Sequence, residues 1–205
     1  MFTVSTPAVS RDVIGIGDLK EALGITGSAD DIAIQSRIDR LGDLMAGECA
    51  VPGDGVAIRT LIQETITETF RLQSASDQLV LARRPLVSVT SVVVNGTTLS
   101  GSDYEAERGA GLMYRLSSDA RQAWPAGKIV VVYVAGWTAA ALQTAAVAIY
   151  REMFLGEARD PLARSESVDG VSKVDYWVGG LDSNNGSALS NQAAATLDPY
   201  RYHAV

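Results

Sequence analysis

Between Trp124 and Pro161 the apolar positions change period once, and the rest of the chain is read from that change. Ile129 to Ala135 is an unbroken run of β-branched and aromatic residues, which predicts a strand covered on both faces. Gly136 ends the run. Thr138 stands where an N-cap belongs, and Ala139 to Gly156 is rich in strong helix formers. Leu142, Ala146, Ile149 and Met153 form one apolar stripe at helical spacing, with Val147, Tyr150 and Phe154 in a second beside it. A helix apolar on two sides is expected to pack on neighbours at both. Arg151, Glu152, Glu157, Arg159 and Asp160 carry its end toward water, and Pro161 forbids its continuation.

Upstream, residues 1–12 read as a flexible start. Asp18 and Glu21 have the D-x-x-E spacing of a capped helix start, with Leu19, Ala22 and Leu23 as a short apolar face closed by Gly24 and Gly27. Ser28 and Asp31 repeat the capping pattern. The following helix, 29–48, carries Ile34, Ile38, Leu41 and Met45 on one stripe and most of its charges off it. Residues 52–55, Pro-Gly-Asp-Gly, are a turn cluster. Val56 to Leu72 has helical apolar spacing but Thr at 60, 65, 67 and 69, and is assigned as strand. Gln78 to Ala82 is a strand interrupted by Arg83-Arg84-Pro85, and Pro85 suits a sheet edge or corner. Val87 to Val94 alternates Val with Ser or Thr and runs into Asn95-Gly96, a strong hairpin signal. Tyr104–Glu107 and Leu112–Leu116 flank Arg108-Gly109-Ala110-Gly111 as a second hairpin. The centre is thus expected to be one antiparallel sheet of several strands ending in 129–135.

After Pro161 the composition turns to Ser, Gly, Asn and Asp. Val171 to Val178 suits an extended strand with Tyr176 and Trp177 as anchors. Leu181 to Asn191 is expected to be flexible, and Gln192 to Leu197 to form a helical turn or two. The sequence divides into a core, 1–161, and a C-terminal segment, 162–205. The fold class is α+β: a small helical bundle around the long Ala-rich helix, an antiparallel sheet and hairpin region inserted between helices, and an extended tail.

Composition narrows the function. Of 205 residues 47% are apolar, enough for one substantial core. Net charge is −7, from 24 acidic and 17 basic residues, which argues against a protein that grips duplex DNA by neutralising phosphates. A single cysteine, Cys49, excludes an internal disulfide framework and a cysteine-clustered metal site. No secretory leader is seen and no apolar run reaches the roughly 18 residues of a membrane span, so a reducing, soluble compartment is expected.

No catalytic, cofactor or metal constellation stands out. Gly15-Ile16-Gly17 lacks the third glycine and the preceding strand of a dinucleotide loop. His203, the only histidine, lies two residues from the end, a poor scaffold for a triad. Glu64 and Glu68 share one face of a strand, as an acid/base pair would, and as ordinary solvated charges do. Glu48 beside Cys49 would raise the thiol pKa and not activate it. Arg83 and Arg84 fit either contact with phosphate or an acidic partner, or a solvated strand end. The terminal Tyr200, Arg201 and Tyr202 follow a polar tether, the layout of a linker with a docking segment; the other reading is a disordered end.

The order of these pieces resembles the head–tail connector (adaptor) family of long-tailed bacteriophages and related gene-transfer particles. The resemblance spans about 18–202. It is carried by Arg84-Pro85-Leu86 with Ser88-Val89-Thr90-Ser91-Val92, Arg115-Leu116 followed after seven intervening residues by Trp124-Pro125, Ala135-Gly136-Trp137 and Pro199-Tyr200-Arg201. Trp137 replaces the Tyr often found there, and 51–75 is less family-like. The resemblance implies a non-enzymatic virion protein, made in the bacterial host cytoplasm and placed in the neck. Its implied form is a ring, typically of twelve subunits, that extends the DNA channel under the portal protein. DNA would pass without sequence-specific binding, and no membrane would be involved. The implied partners are the portal, a stopper or tail protein, and further copies of itself. The expected docking residues are Tyr176, Trp177, Tyr200, Arg201, Tyr202, Arg83 and Arg84. The competing assignments are a stopper or tail-completion protein, or a small α+β enzyme.

Overall fold

The structure, a computed structural model, describes residues 1–154, 165–168, 172–175, 189 and 191–202. In chain order the first half holds β1 (Phe2–Thr6), α1 (Ile16–Leu23), α2 (Asp31–Glu48), β2 (Glu64–Leu72), β3 (Leu79–Val80), β4 (Leu86–Val94) and β5 (Thr97–Thr98). Then follow β6 (Tyr104–Glu107), β7 (Leu112–Ser117), β8 (Ala120–Gln122), β9 (Gly127–Ala135), α3 (Ala139–Phe154), β10 (Ser165–Val168), β11 (Ser172–Asp175) and α4 (Asn191–Leu197). The chain is α+β and falls into two compact units, each assembled from separated stretches. One comprises Met1–Arg11, Ala50–Thr138 and Tyr202–Val205; the other comprises Asp12–Cys49 and Ala139–Arg201.

The first unit is all β. A five-stranded antiparallel sheet runs β1-β2-β9-β4-β5, with β9 at its centre. A second sheet runs β3-β7-β6, with β8 on β7. The expected single sheet is therefore two: β9 has β2 and β4 on its two edges, and β7 pairs instead with β3, β6 and β8, while Trp124 and Ser76 form an isolated bridge with backbone N···O distances of 2.7 and 3.0 Å in the two directions. Residues of both sheets, among them Ile66, Leu79, Met113, Trp124 and Val131, share one core. On β9, Ile129, Val131, Tyr133 and Ala135 are fully buried while Val130, Val132 and Val134 are half-buried. The run is thus not covered equally on both faces, as an antiparallel sheet permits.

Residues 1–12 are not a loose start. Phe2 and Val4 alternate with polar residues, and β1 pairs with β2 through Phe2↔Glu68 and Val4↔Ile66. The strand expected from 56 begins only at Glu64. Before it, side chains take the backbone donors: the Asp54 carboxylate accepts from Val56 and Ala57, and Thr60 Oγ1 from Ile62. The hairpin at Asn95-Gly96 forms with both residues at positive φ, 50° and 90°. At the end of β9 only glycine fits: Gly136 has φ +122°, and a Cβ there would stand 2.7 Å from the Ile62 carbonyl oxygen.

The second unit is mainly helical. α1 starts one turn earlier than expected: Gly15 is its N-cap and Asp18 lies in its first turn. Asp30, not Ser28, precedes α2. The α2 stripe Ile34, Ile38, Leu41 and Met45 is buried as expected. On α3, Leu142, Ala146, Ile149, Tyr150 and Phe154 are buried, with Met153 and Val147 half-buried. α3 contacts α1, α2 and α4. Arg37 of α2 lies 5.8 Å over the Phe154 ring, and Arg151 Nη2 donates to the Ala22 carbonyl at 2.8 Å. Glu157, Arg159 and Asp160 lie outside the described residues. β10 and β11 pair as a short antiparallel hairpin, so 172–175 of the expected 171–178 strand is extended. α4 confirms the expected helical turns and buries Ala193 and Leu197. No helix of the described residues is long and apolar enough to cross a membrane.

Candidate functional site: the Arg83–Arg84 corner

β2 places Glu64, Ile66 and Glu68 on one face, and that face is the buried one; Glu64 is 3% and Glu68 6% exposed. Neither is a solvated charge, and they do not act as a pair. Glu64 Oε2 accepts from Arg83 Nη2 at 3.0 Å. Glu68 Oε2 accepts from Tyr133 Oη at 2.9 Å and from the Ala82 backbone N–H at 3.0 Å.

Arg83 comes from the irregular link between β3 and β4. At 1% exposure it is neither a solvated strand end nor a surface group. Its Nη1 donates to the Pro52 carbonyl at 2.9 Å and its Nη2 to the Thr60 carbonyl at 2.7 Å. The loop before β2 is thereby fastened to the corner before β4. The Arg83 backbone N–H donates to Tyr133 Oη at 3.3 Å, which in turn donates to Glu68. These side-chain and backbone groups thus form one hydrogen-bonded network inside the sheet unit, in which Arg83 Nε alone is left without a partner.

Burial sets the electrostatics. It raises the Glu64 pKa, with the Arg83 guanidinium opposing. It raises the Glu68 pKa too, opposed by the Ala82 and Tyr133 hydrogen bonds. Tyr133 is likewise raised, first by burial and then by the Glu68 carboxylate. Cys49 is fully buried and its thiol is pushed up to about 12, chiefly by burial, with Glu48 a lesser cause. Among the described residues no group of three or more His, Cys, Asp or Glu could hold a metal ion. A cavity of about 220 Å³ lined by Leu86, Ser88, Val89, Tyr104, Ala106 and Arg108 offers hydroxyls and one guanidinium, without a carboxylate or imidazole base among them.

The C-terminal aromatics are seated on their own chain. Tyr202 Oη donates to the Arg84 carbonyl and accepts from the Arg84 backbone N–H at 3.2 Å. Its ring meets Trp137 edge-on, centroids 6.1 Å apart at 84°, and the Arg84 guanidinium lies 5.5 Å over it. Burial raises the Tyr202 pKa. In the helical unit, Tyr200 Oη donates to the Ala141 carbonyl at 2.6 Å, and Arg201 Nε lies 3.4 Å from Asp198 Oδ1. Tyr176, Trp177 and His203 lie outside the described residues. The structure therefore brings Arg84 and Tyr202 together with Trp137, which the sequence reading did not list among the site residues. Arg83, an internal ion, stands near enough for its guanidinium to oppose the burial-driven rise of the Tyr202 pKa.

No protein-family model and no curated protein matches the chain. Solved structures do. A chain from the neck of an empty gene transfer agent particle, computed with sixfold symmetry, has a TM-score of 0.52 at 16% identity. The match covers 100% of this chain and 97% of that one. A chain from the neck of the native particle, computed with twelvefold symmetry, has a TM-score of 0.51 at 14% identity, with the same coverage. At these identities the likeness is one of fold, and it runs from end to end of both chains.

Proposed function

We propose that this chain is a structural head-to-tail adaptor of a tailed phage or phage-like particle. Copies of it form a ring of twelve under the portal, extend the DNA channel and present a platform to the next neck protein. The observation that carries this reading is the full-length fold likeness to chains from gene transfer agent necks. Two features of the chain support it. Apart from Arg83 Nε, the polar groups of the Arg83 corner are hydrogen-bonded to one another, as in a structural element and unlike a site that must receive a substrate. The charge is also divided: the sheet unit holds nine basic and eight acidic residues, net +1, and the helical unit eight basic and sixteen acidic, net −8. A ring with that balance does not hold a passing duplex tightly.

In this reading Tyr200 and Arg201 are the residues that dock on the portal, with 162–205 as the docking segment and Tyr176 and Trp177 as further anchors. The experiment is to image particles from a producing strain and locate the chain. A twelvefold ring directly beneath the portal is the expected result. A position one layer further from the head would make the chain a stopper or tail-completion protein. Absence from particles, with a monomer or dimer in solution, would overturn the structural assignment.

A further inference from the structure

Tyr202 cannot be in two places. Its single hydroxyl serves both the carbonyl and the N–H of Arg84, and its ring is flanked by Trp137 and the Arg84 guanidinium. Yet the proposed role requires Tyr200 and Arg201, its immediate neighbours, to engage another protein. We propose that the Arg84 peptide and Trp137 form a latch that holds the chain end in cis, and that docking of the Tyr200–Arg201 segment requires Tyr202 to leave it. This inference rests on the adaptor reading given above.

The geometry suits a latch. The seat is rigid: Arg83, next to the Arg84 peptide, is fixed by three side-chain hydrogen bonds, and Trp137 is bridged to Ile62. The occupant is detachable. Tyr202 belongs to no helix or strand, so it can leave without breaking a ladder or a helical turn. A fixed receptacle with a removable side chain has two discrete states, and a partner that binds only the released end shifts the population between them. A latch closed in all but roughly one molecule in ten to one in a hundred would weaken the apparent affinity for the partner tenfold to a hundredfold.

The test compares the full-length wild type with Tyr202→Phe, which keeps the ring against Trp137 and removes the hydroxyl. Amide hydrogen exchange at Arg84 reports the latch, because that N–H donates to the tyrosine oxygen. Binding to purified, tailless, portal-bearing heads reports docking. The expected result is Arg84 exchange at least about tenfold faster in Tyr202→Phe, together with roughly tenfold tighter binding to heads. Faster exchange with unchanged or weaker binding would overturn the latch and leave the adaptor assignment standing. Unchanged exchange would show that no latch is closed by the hydroxyl. If the wild type and the variant both fail to bind heads, the adaptor reading falls and the release step with it.

Discussion

Removing the Arg83 guanidinium should expose how much of the sheet unit depends on one buried ion. In Arg83→Met the side chain keeps its bulk, but Glu64 loses its cation, and the Pro52 and Thr60 carbonyls lose their donor. Glu64 is 3% exposed, so the carboxylate cannot turn to water without opening the sheet. Breaking a buried pair by deleting one partner typically costs about 3–5 kcal/mol. The loss should depend on pH. Burial already raises the Glu64 pKa above its ordinary value of 4.5, and without Arg83 it rises further. A folded-state pKa above the unfolded one means stability that is present below about 4.5 and drains away as pH climbs through the folded value. Arg83→Met should therefore be hurt most near pH 7.5 and recover part of the loss near pH 5. Glu64→Gln in the Arg83→Met background should recover most of it at all pH values. Urea unfolding followed by tryptophan fluorescence is the assay, since Trp124 and Trp137 both belong to this unit. A loss under about 1 kcal/mol, or one equal at the two pH values, would refute the reasoning from a buried and dependent carboxylate.

Other outcomes follow from the same structure. Glu68→Gln keeps an acceptor for Tyr133 and Ala82 while removing a buried charge. Stability near pH 7 should be equal or higher, and the gain in stability as pH falls toward 4.5 should flatten, which unfolding curves across pH 4–8 would show. Ile149→Ala on α3, where the side chain is fully buried, should cost about 2–5 kcal/mol by denaturant unfolding; a loss below half a kilocalorie would make α3 peripheral. The isolated chain should not bind duplex DNA tightly at physiological salt, because it carries a net charge of −7; salt-sensitive, submicromolar binding in a filter or anisotropy assay would count against the proposed channel wall.

The helices were legible because their information is local. Ile34, Ile38, Leu41 and Met45 declare one face whatever lies against it, and Asn95-Gly96 dictates its own turn. The misreadings arise where a partner is distant. Glu64 and Glu68 share the face of Ile66, which is a readable sign of burial, but what keeps them there is Arg83, 19 residues on, and Tyr133, 65 residues on. The late start of β2 depended on Asp54 and Thr60 capturing donors that the strand would have used. Two sheets replaced one because β2 and β4 take both edges of β9 and leave β7 to pair elsewhere, a choice of partners no periodicity encodes. Of the candidate site, Tyr202 was visible as an aromatic that a spent terminus does not need; its seat on Arg84 and Trp137 was not.

The position of β9 also has a meaning on the ribosome. β2 and β4 do not pair with each other; both are joined by β9, and β9 is the last strand of that sheet to be synthesised. About forty residues separate the end of β4 from the end of β9, so at 5–20 residues per second the nascent chain waits roughly 2–8 s for its keystone. In that interval two strands rich in Val, Ile and Thr offer open edges beside other nascent copies on the same message. The Asn95-Gly96 turn lets β5 cover one end of β4 early, and β1 can cover the outer edge of β2. The two inner edges have no such cover until residue 135 is made. Slowing translation between β4 and β9 should therefore lower the yield of native chain, with pairing between nascent copies as the competing fate.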